Sequence, residues 1–155
     1  MEAAFIHTPL GLLRLSASEN GLISIQFRSE LSAPAGPGVS HPVLKETVRQ
    51  LTAYFEGKLT AFDLPLAPPG TAFQQRVWEA LQEIPFGHTM TYMELSKKLG
   101  DAKAIRAVGR ANGQNCIPIV IPCHRVIGSD NKLIGYAGGI ERKQQLLQHE
   151  GALLL

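Results

Sequence analysis

The feature that most constrains this chain is the run of residues 115–127, NCIPIVIPCHRVI, which is apolar over most of its length. Near its end it presents Cys123, His124 and Arg125 in succession. Pro122 fixes its own φ, biases the residue before it towards extended backbone and has no N–H to donate. The run therefore predicts a buried strand that becomes irregular, or lies at a sheet edge, where Cys123 emerges.

The residues beside this cysteine favour chemistry over simple packing. A thiol next to cationic or ionisable side chains is in the setting that produces a reactive thiolate. Adjacent side chains of an extended segment point to opposite faces, so Cys123 and His124 are not expected to share a direct hydrogen bond. A water or a bend in the backbone has to join them if they cooperate. A buried structural cysteine is the alternative, because free cysteine is among the most buried residue types.

Length and composition set broad limits. A chain of 155 residues with 45% hydrophobic residues can form one ordinary domain or two small lobes with a real core. No run approaches the length of a membrane span and the N-terminus lacks a signal-peptide pattern, so we expect a cytoplasmic monomer that does not contact a membrane. Two cysteines seven positions apart, without Cys/His spacing typical of zinc, predict no disulfide framework, no metal and no other cofactor.

The net charge of +2 is unevenly distributed along the chain. Residues 1–70 hold five Lys/Arg against six Asp/Glu, whereas residues 71–155 hold ten against seven. Within residues 97–110 the only acid is Asp101. The basic residues of that segment are Lys97, Lys98, Lys103, Arg106 and Arg110. This local excess of four positive charges suits a phosphate backbone.

The first part of the chain predicts a small antiparallel sheet. Residues 4–15 and 22–27 have the composition of strands. The dipeptide Asn20-Gly21 lies between them and is a turn signal that favours a hairpin.

A helix is predicted to cover one face of this sheet. Apolar residues recur at nearly helical spacing over residues 43–55. A short further strand is predicted at residues 62–66, and the proline-rich segment 67–70 has the composition of a linker. We place the boundary between two lobes there, so that the lobes are residues 1–70 and 71–155.

The second lobe has a mainly helical pattern. Helices are predicted over residues 71–84, 92–99 and 102–112, and the last two begin after the capping residues Thr91 and Asp101. Two short helices joined by a glycine-containing turn are typical of a helix-turn-helix, although compact helical domains use similar turns.

The second helix of this pair has a basic face. Lys103, Arg106 and Arg110 are spaced three and four residues apart, which places them on one side of a helix. The small residues Ala107 and Gly109 let the backbone approach another surface closely. A solvated basic face is the alternative.

Beyond the cysteine the pattern indicates a turn at residues 128–131, a returning strand at 132–134 and a glycine-rich loop at 135–139. Such a loop permits backbone amides to converge on a ligand, although a plain turn would have the same composition. Residues 140–150 predict a last helix. An acid in its last turn, Glu150, opposes the helix dipole by about 0.3–1 kcal/mol, which favours a partner elsewhere in the fold. A solvated acid is the alternative.

Several of these segments occur together in a known family. They are RAVG at 106–109, ANG at 111–113, Asn115, PCHRV at 122–126, GYAGG at 135–139 and HEG at 149–151. In this combination the chain resembles the O6-alkylguanine-DNA alkyltransferases, also called methylated-DNA-protein cysteine methyltransferases. The resemblance is close over residues 73–151 and limited to size and order of elements before them. Ile105 and Cys116 depart from the family pattern, in which alanine and proline are common, and the zinc ligands of some relatives have no counterpart.

The resemblance implies an α+β fold. A small N-terminal ribonuclease H-like sheet-and-helix lobe would precede a mainly helical C-terminal lobe with a (winged) helix-turn-helix that enters the minor groove. The implied function is DNA repair. An alkyl group on O6 of guanine, or on O4 of thymine, would pass irreversibly from double-stranded DNA to Cys123 after base flipping, once per protein molecule.

The resemblance also implies roles for individual residues in catalysis. Cys123 would be the nucleophile, and His124 would take its proton through a water. Glu150 would hold the imidazole, and Asn115 would tie the active-site turn. Tyr92 would donate a hydrogen bond or a proton to the leaving base.

Further residues are implied in DNA and base binding. Arg106 would be the finger that fills the place of the flipped nucleotide. The other implied DNA-binding residues are Lys103, Ala107, Gly109, Arg110 and Arg125. The implied walls of the base pocket are Tyr136, Ala137 and Gly138.

Two other classes of function stay open. A DNA-binding protein that senses alkylated bases without repairing them would share the helix pair, but such relatives lack the cysteine that this chain has at position 123. A cysteine hydrolase would also use Cys, His and Glu, but it would turn over many times and would not need the basic helix. Transfer of one alkyl group per chain separates the three.

Overall fold

In the computed structural model the chain divides into two compact units, Met1–Pro69 and Gly70–Leu155. The structure describes residues 2–29, 38–129, 133, 136 and 138–152. The first unit is a small sheet with a helix and the second is mainly helical, which confirms the predicted α+β class. No helix within the described ranges is long and apolar enough to cross a membrane.

The first unit holds a three-stranded antiparallel sheet. Its strands, in spatial order, are β1 (Ala3–Thr8), β2 (Gly11–Ser18) and β3 (Gly21–Arg28). The predicted hairpin is confirmed: residues 19–20 form the tight turn between β2 and β3, and Gly21 is the first residue of β3. Gly21 is needed there, because its φ is +142° and a Cβ would lie 2.5 Å from the carbonyl oxygen of Pro65.

The prediction of one strand over residues 4–15 is wrong, because the segment is two strands that reverse at Pro9-Leu10. The hydroxyl of Thr8 closes the turn. It accepts a hydrogen bond from the Leu10 N–H at 3.1 Å and donates one to the Gly11 carbonyl at 2.8 Å. Ala4, Ile6, Leu10 and Leu12 are apolar and lie at even positions through the turn, and the apolar pattern moves to odd positions only at Leu13, so periodicity alone does not reveal the turn.

Helix α1 (Pro42–Phe55) packs its buried residues against this sheet and confirms the predicted helix. The strand predicted at residues 62–66 is wrong, since only a single parallel bridge joins Leu66 to Leu22. Pro65 explains this: it has no N–H to contribute to a ladder, although its carbonyl accepts the N–H of Leu22 at 2.9 Å.

The second unit contains the elements that carry the candidate site. They are α2 (Ala72–Leu81), β4 (Met90–Thr91), α3 (Tyr92–Lys98), α4 (Ile105–Gly113), β5 (Val126–Ile127) and α5 (Ile140–His149). The four helices confirm the predicted ones with small differences at their ends. Strand β4 pairs in parallel with β5. The returning strand predicted at residues 132–134 falls largely outside the described residues.

Local capping explains where α2 and α3 begin. Thr71 and Thr91 each form a reciprocal capping box, the first with Gln74 and the second with Glu94. The carboxylate of Asp101 accepts the Lys103 N–H at 2.9 Å and starts a 3-10 turn that leads into α4.

Helix α4 is held in place by α2. The indole nitrogen of Trp78, on α2, donates a hydrogen bond to the Ala111 carbonyl of α4 at 2.9 Å, and both residues are buried. Val108 is buried on the same side of α4. The opposite side, which carries the basic residues, therefore faces solvent.

We expect Trp78→Phe to lower the free energy of unfolding by about 1–3 kcal/mol, because it removes one hydrogen bond to α4 and part of a packed ring. Urea denaturation followed by circular dichroism measures the change. The exposed neighbour Glu79 supplies the control, and Glu79→Gln should stay within about 0.5 kcal/mol of the parent. A Trp78→Phe variant as stable as that control would show that the contact does not hold α4.

Candidate functional site

The segment before Cys123 is a compact turn. The predicted strand is wrong: residues 115–122 fold back on themselves, Cys123–Arg125 forms a single 3-10 turn and only Val126–Ile127 is extended in a sheet. Pro118 and Pro122 remove two backbone donors, which makes a regular strand ladder unfavourable.

The side chain of Asn115 holds this turn together. Its Oδ1 accepts the Ile117 N–H at 3.0 Å, and its Nδ2 donates to the Ile121 carbonyl at 2.8 Å. Between these two contacts Ile119 has a φ of +75°, a left-handed conformation that β-branched residues rarely adopt. Asn115 therefore ties residues 117 and 121 together in the turn before Cys123.

Cys123 lies at the end of this turn, and the residue is 5% exposed. Burial raises the pKa of the Cys123 thiol to about 11, while a hydrogen bond with Asn115 and the positive charge of Lys143 act to lower it. Cys123 is therefore a protonated thiol at rest, and a nearby base is needed to form the thiolate.

His124, which follows it, is fully buried and has the properties of such a base. Its Nε2 lies 2.8 Å from Oε2 of Glu150. Both carboxylate oxygens of Glu150 also accept hydrogen bonds from Arg125, so Glu150 is ionised and Nε2 must be the donor to it. Nδ1 then carries the lone pair, and it is buried without a hydrogen bond to any described residue. Burial lowers the pKa of His124, which keeps the ring neutral.

The predicted DNA contact of Arg125 is also corrected, because this side chain is buried and bound within the protein. Its side chain is 7% exposed. Nε and Nη2 donate to Glu150 at 2.8 and 3.0 Å, and Nη1 donates to the Ile84 carbonyl at 2.6 Å. The guanidinium thus holds the carboxylate that in turn holds His124, and it explains the acid at the end of α5.

Tyr92 begins α3 and is half-buried near the thiol. Burial and the neighbouring Cys123 raise the pKa of the Tyr92 hydroxyl, whereas a hydrogen bond with Asn112 acts to lower it. Asn112, on α4, also donates to the Cys123 carbonyl at 3.4 Å. A Cβ at Gly109 would lie 3.8 Å from the Tyr92 ring, so α4 packs closely against both Tyr92 and the cysteine turn.

Most of the residues predicted to bind DNA are exposed on α4 or on the turn before it. The exposed residues of α4 and the turn before it include Lys103, Arg106, Ala107 and Arg110, while Gly109 is half-buried.

Of the residues predicted to form the pocket wall, Tyr136 is buried, and burial raises the pKa of its hydroxyl well above the usual value. The Gly138 carbonyl accepts a hydrogen bond from Arg142 at 3.2 Å. Ala137 lies outside the described residues.

One buried residue near the thiol, Lys143, is not among the site residues predicted from the sequence. This lysine of α5 is fully buried, donates to the Val126 carbonyl at 2.6 Å and lies 5.9 Å from the centre of the Tyr92 ring. A signal was present, since residues 143, 146, 147 and 150 share one helix face and two of them are buried leucines. Among the described residues there is no cluster of three or more His, Cys, Asp or Glu side chains that could hold a metal.

A basic helix packed against a buried thiol, with a histidine base beside it, defines a class of DNA-binding protein that carries its own nucleophile. Known protein families that resemble this chain agree with that class. Residues 72–152 match the family described as 6-O-methylguanine DNA methyltransferase, DNA binding domain, and residues 1–68 match its ribonuclease-like domain.

Individual relatives are similar over nearly their whole length. A methylated-DNA–protein-cysteine methyltransferase of Methanosarcina acetivorans is 46% identical over 98% of this chain and 99% of its own. The Mycobacterium tuberculosis OGT, solved in complex with DNA, has a TM-score of 0.86 and 44% identity over 97% of this chain and 93% of its own. The Methanococcus jannaschii O6-methylguanine DNA methyltransferase has a TM-score of 0.68 and 28% identity over 98% and 95%. The chain belongs to the O6-alkylguanine-DNA alkyltransferase family.

We expect Arg125→Met to lower the free energy of unfolding by about 3–5 kcal/mol, because it leaves Glu150 charged and buried without its main partner. In molecules that remain folded, the pKa of His124 should rise, since a repelling cation is removed and Glu150 is free to stabilise the imidazolium. Chemical denaturation and an NMR titration of the histidine ring measure the two effects.

The matched control is Arg49→Met, which removes the arginine of an exposed Arg–Glu pair on α1. It should change stability little, because exposed ion pairs contribute little. Equal effects of the two substitutions would contradict the role given to Arg125.

Proposed function

We propose that this protein repairs DNA by transferring an alkyl group from O6 of guanine, or O4 of thymine, to the sulfur of Cys123. Family membership supports the reaction, and the linked contacts His124–Glu150–Arg125 directly after Cys123 in the chain support the residues. All of these residues lie in the second unit, so one chain supplies the whole cluster. We therefore propose that it acts as a monomer. A cytoplasmic location is a separate part of the proposal.

The first step is removal of the thiol proton. With a pKa of about 11, only about one thiol in 10⁴ is ionised at pH 7, and this deficit corresponds to roughly 5 kcal/mol. Nδ1 of His124 is the base, and one bridging water carries the proton from Sγ to it. Glu150 accepts the hydrogen bond from Nε2 and stabilises the imidazolium that forms.

The second step is an in-line displacement at the alkyl carbon. A lone pair of the Cys123 thiolate forms the new S–C bond while the C–O6 bond breaks, and the bonding electrons go to the guanine. The raised pKa of Tyr92 keeps its hydroxyl protonated, so that it can donate a hydrogen bond or its proton to the departing base. The product is a thioether, and none of the residues assigned here can displace it. Each molecule therefore acts once.

Access to the base depends on α4. A base inside a duplex hides its O6 substituent, so the nucleotide has to be flipped out of the stack. Arg106 is exposed on α4 and is assigned to fill the vacated place, with Lys103 and Arg110 on phosphates and the backbone at Ala107 and Gly109 close to the groove. Tyr136, Ala137 and Gly138 are assigned to the pocket wall. The DNA complex of the Mycobacterium tuberculosis relative supports DNA as the partner.

The direct test is the intact mass after incubation with a duplex containing O6-methylguanine. We expect a gain of one methyl group per chain, located on Cys123 by peptide mapping. Cys123→Ser should gain none and still bind the alkylated duplex, because the hydroxyl preserves the shape of the site but is a far poorer nucleophile. The control Cys116→Ser should keep activity within a few-fold. An unchanged parent mass, or the methyl group on Cys116, would refute the proposal.

Arg106→Ala tests the assignment of the basic helix. We expect weaker binding to alkylated duplex, a smaller salt dependence of binding by roughly one counterion and slower transfer from duplex. Reaction with a free alkylated base should stay near the parent rate, since Arg106 does not touch the thiol. The control Arg49→Ala removes an exposed arginine of the first unit and should leave both rates unchanged. An equal loss of transfer rate on duplex and on free base would show that Arg106 acts in the transfer step and not in DNA binding.

A further inference from the structure

We propose that Lys143 is the electrostatic partner of the Cys123 thiolate, an ammonium group fixed beside the negative charge that forms on sulfur. This inference deepens the proposed function and rests on it for its link to alkyl transfer. Its central claim, that the two groups stabilise each other's charged forms, concerns the protein without DNA.

The position of the ammonium group is defined by two structural elements. Nζ of Lys143 donates to the Val126 carbonyl at 2.6 Å, three residues beyond Cys123. The same atom lies 5.9 Å from the centre of the ring of Tyr92, the residue assigned to the leaving base. Lys143 is also fully buried on α5, so its side chain cannot swing out to solvent without loss of packing. The ammonium group is thus held between the cysteine turn and the start of α3.

The charges on Lys143 and Cys123 favour each other. The positive charge of Lys143 lowers the pKa of Cys123, and the charge on Cys123 raises the pKa of Lys143. Burial opposes both and is the larger effect, since it raises the pKa of the thiol to about 11 and lowers the pKa of the lysine to about 8. Each group is therefore most easily ionised while the other is charged.

Among the groups near the thiol, Lys143 is the one that can balance a negative charge on the sulfur. The other ionisable or charged groups around the thiol are Tyr92, His124, Arg125, Tyr136 and Glu150. Arg142 acts on Tyr136 and donates to the Gly138 carbonyl, whereas Lys143 is the cation that acts on Cys123. Arg125 is engaged with the Glu150 carboxylate, so these two charges largely offset each other. The two tyrosines have a raised pKa and His124 a lowered one, so all three are neutral near pH 7. The ammonium of Lys143 is then the charge that compensates a new anion on sulfur.

This pairing predicts a particular pH dependence of transfer. The reactive form carries a thiolate and an ammonium together, so the rate rises with pH through the lower apparent pKa of the pair and falls above the upper one. Because the two groups interact, the two apparent pKa values belong to the pair. The pH profile should therefore be bell-shaped, with an alkaline limb that depends on Lys143.

The test compares Lys143→Met with Lys143→Arg, each in a Cys116→Ser background. Thiolate formation is followed by absorbance near 240 nm across pH, with the matching Cys123→Ser protein subtracted. We expect Lys143→Met to shift the titration of Cys123 upward by about one pH unit or more and to slow transfer at pH 7.5 about tenfold or more. Lys143→Arg should retain the acidic limb and lose the alkaline decline. A titration that Lys143→Met leaves in place would overturn the proposal.

A second measurement needs no change at position 143. NMR of ¹⁵N-labelled lysine gives the pKa of Lys143 directly, and Cys123→Ser should lower that pKa because the thiolate is gone. An unchanged Lys143 pKa would overturn the pairing even if the Lys143 variants fail to fold. A Cys123 titration that shifts as expected in a protein that transfers no methyl group would instead separate a correct pairing from a wrong proposed function.

Discussion

The second unit depends on the burial of one carboxylate, that of Glu150. An isolated charge in a protein interior is strongly unfavourable, so this carboxylate requires close partners. Arg125 binds it through two nitrogens and His124 through a third. One interaction thereby joins the last turn of α5 to the turn that carries Cys123, and the remaining nitrogen of Arg125 reaches Ile84 beyond α2. The same interaction fixes which nitrogen of His124 bears the proton.

Burial acts on the Cys123 thiol in another way, because it favours the uncharged form of this group. A buried sulfur is shielded from solvent and from electrophiles dissolved in it, but burial also disfavours the thiolate on which any nucleophilic role depends. The structure surrounds Cys123 with groups that offset this effect in different ways. Asn115 supplies a hydrogen bond and Lys143 a positive charge, while the neutral ring of His124 can receive the proton. Reactivity is thus a property of the cluster.

The contacts also connect the exposed face of α4 to the thiol. Asn112 is on the inner side of that helix, donates to the Cys123 carbonyl and interacts with Tyr92. Trp78 fixes the helix from behind through Ala111. A duplex that displaces α4 even slightly would therefore act on the geometry of the cysteine turn.

The sequence by itself determined the helices of the second unit, the caps at Thr71 and Thr91, and the family to which the chain belongs. Those features depend on residues close together in the chain, or on segments specific enough to recognise. It also indicated that Glu150 needs a distant partner, because an acid is unfavourable at that helix end.

Only the tertiary structure decided where the charged side chains go. The resemblance implies that Arg125 binds DNA, but its partners in the structure are residues 84 and 150, far away in the chain. Lys143 was overlooked for the same reason, since its carbonyl acceptor is at residue 126. The turn at residues 115–122 has the composition of a strand, and its shape comes from the side chain of Asn115. Local patterns report periodicity and caps, whereas the position of a buried charge depends on which distant groups the fold brings to it.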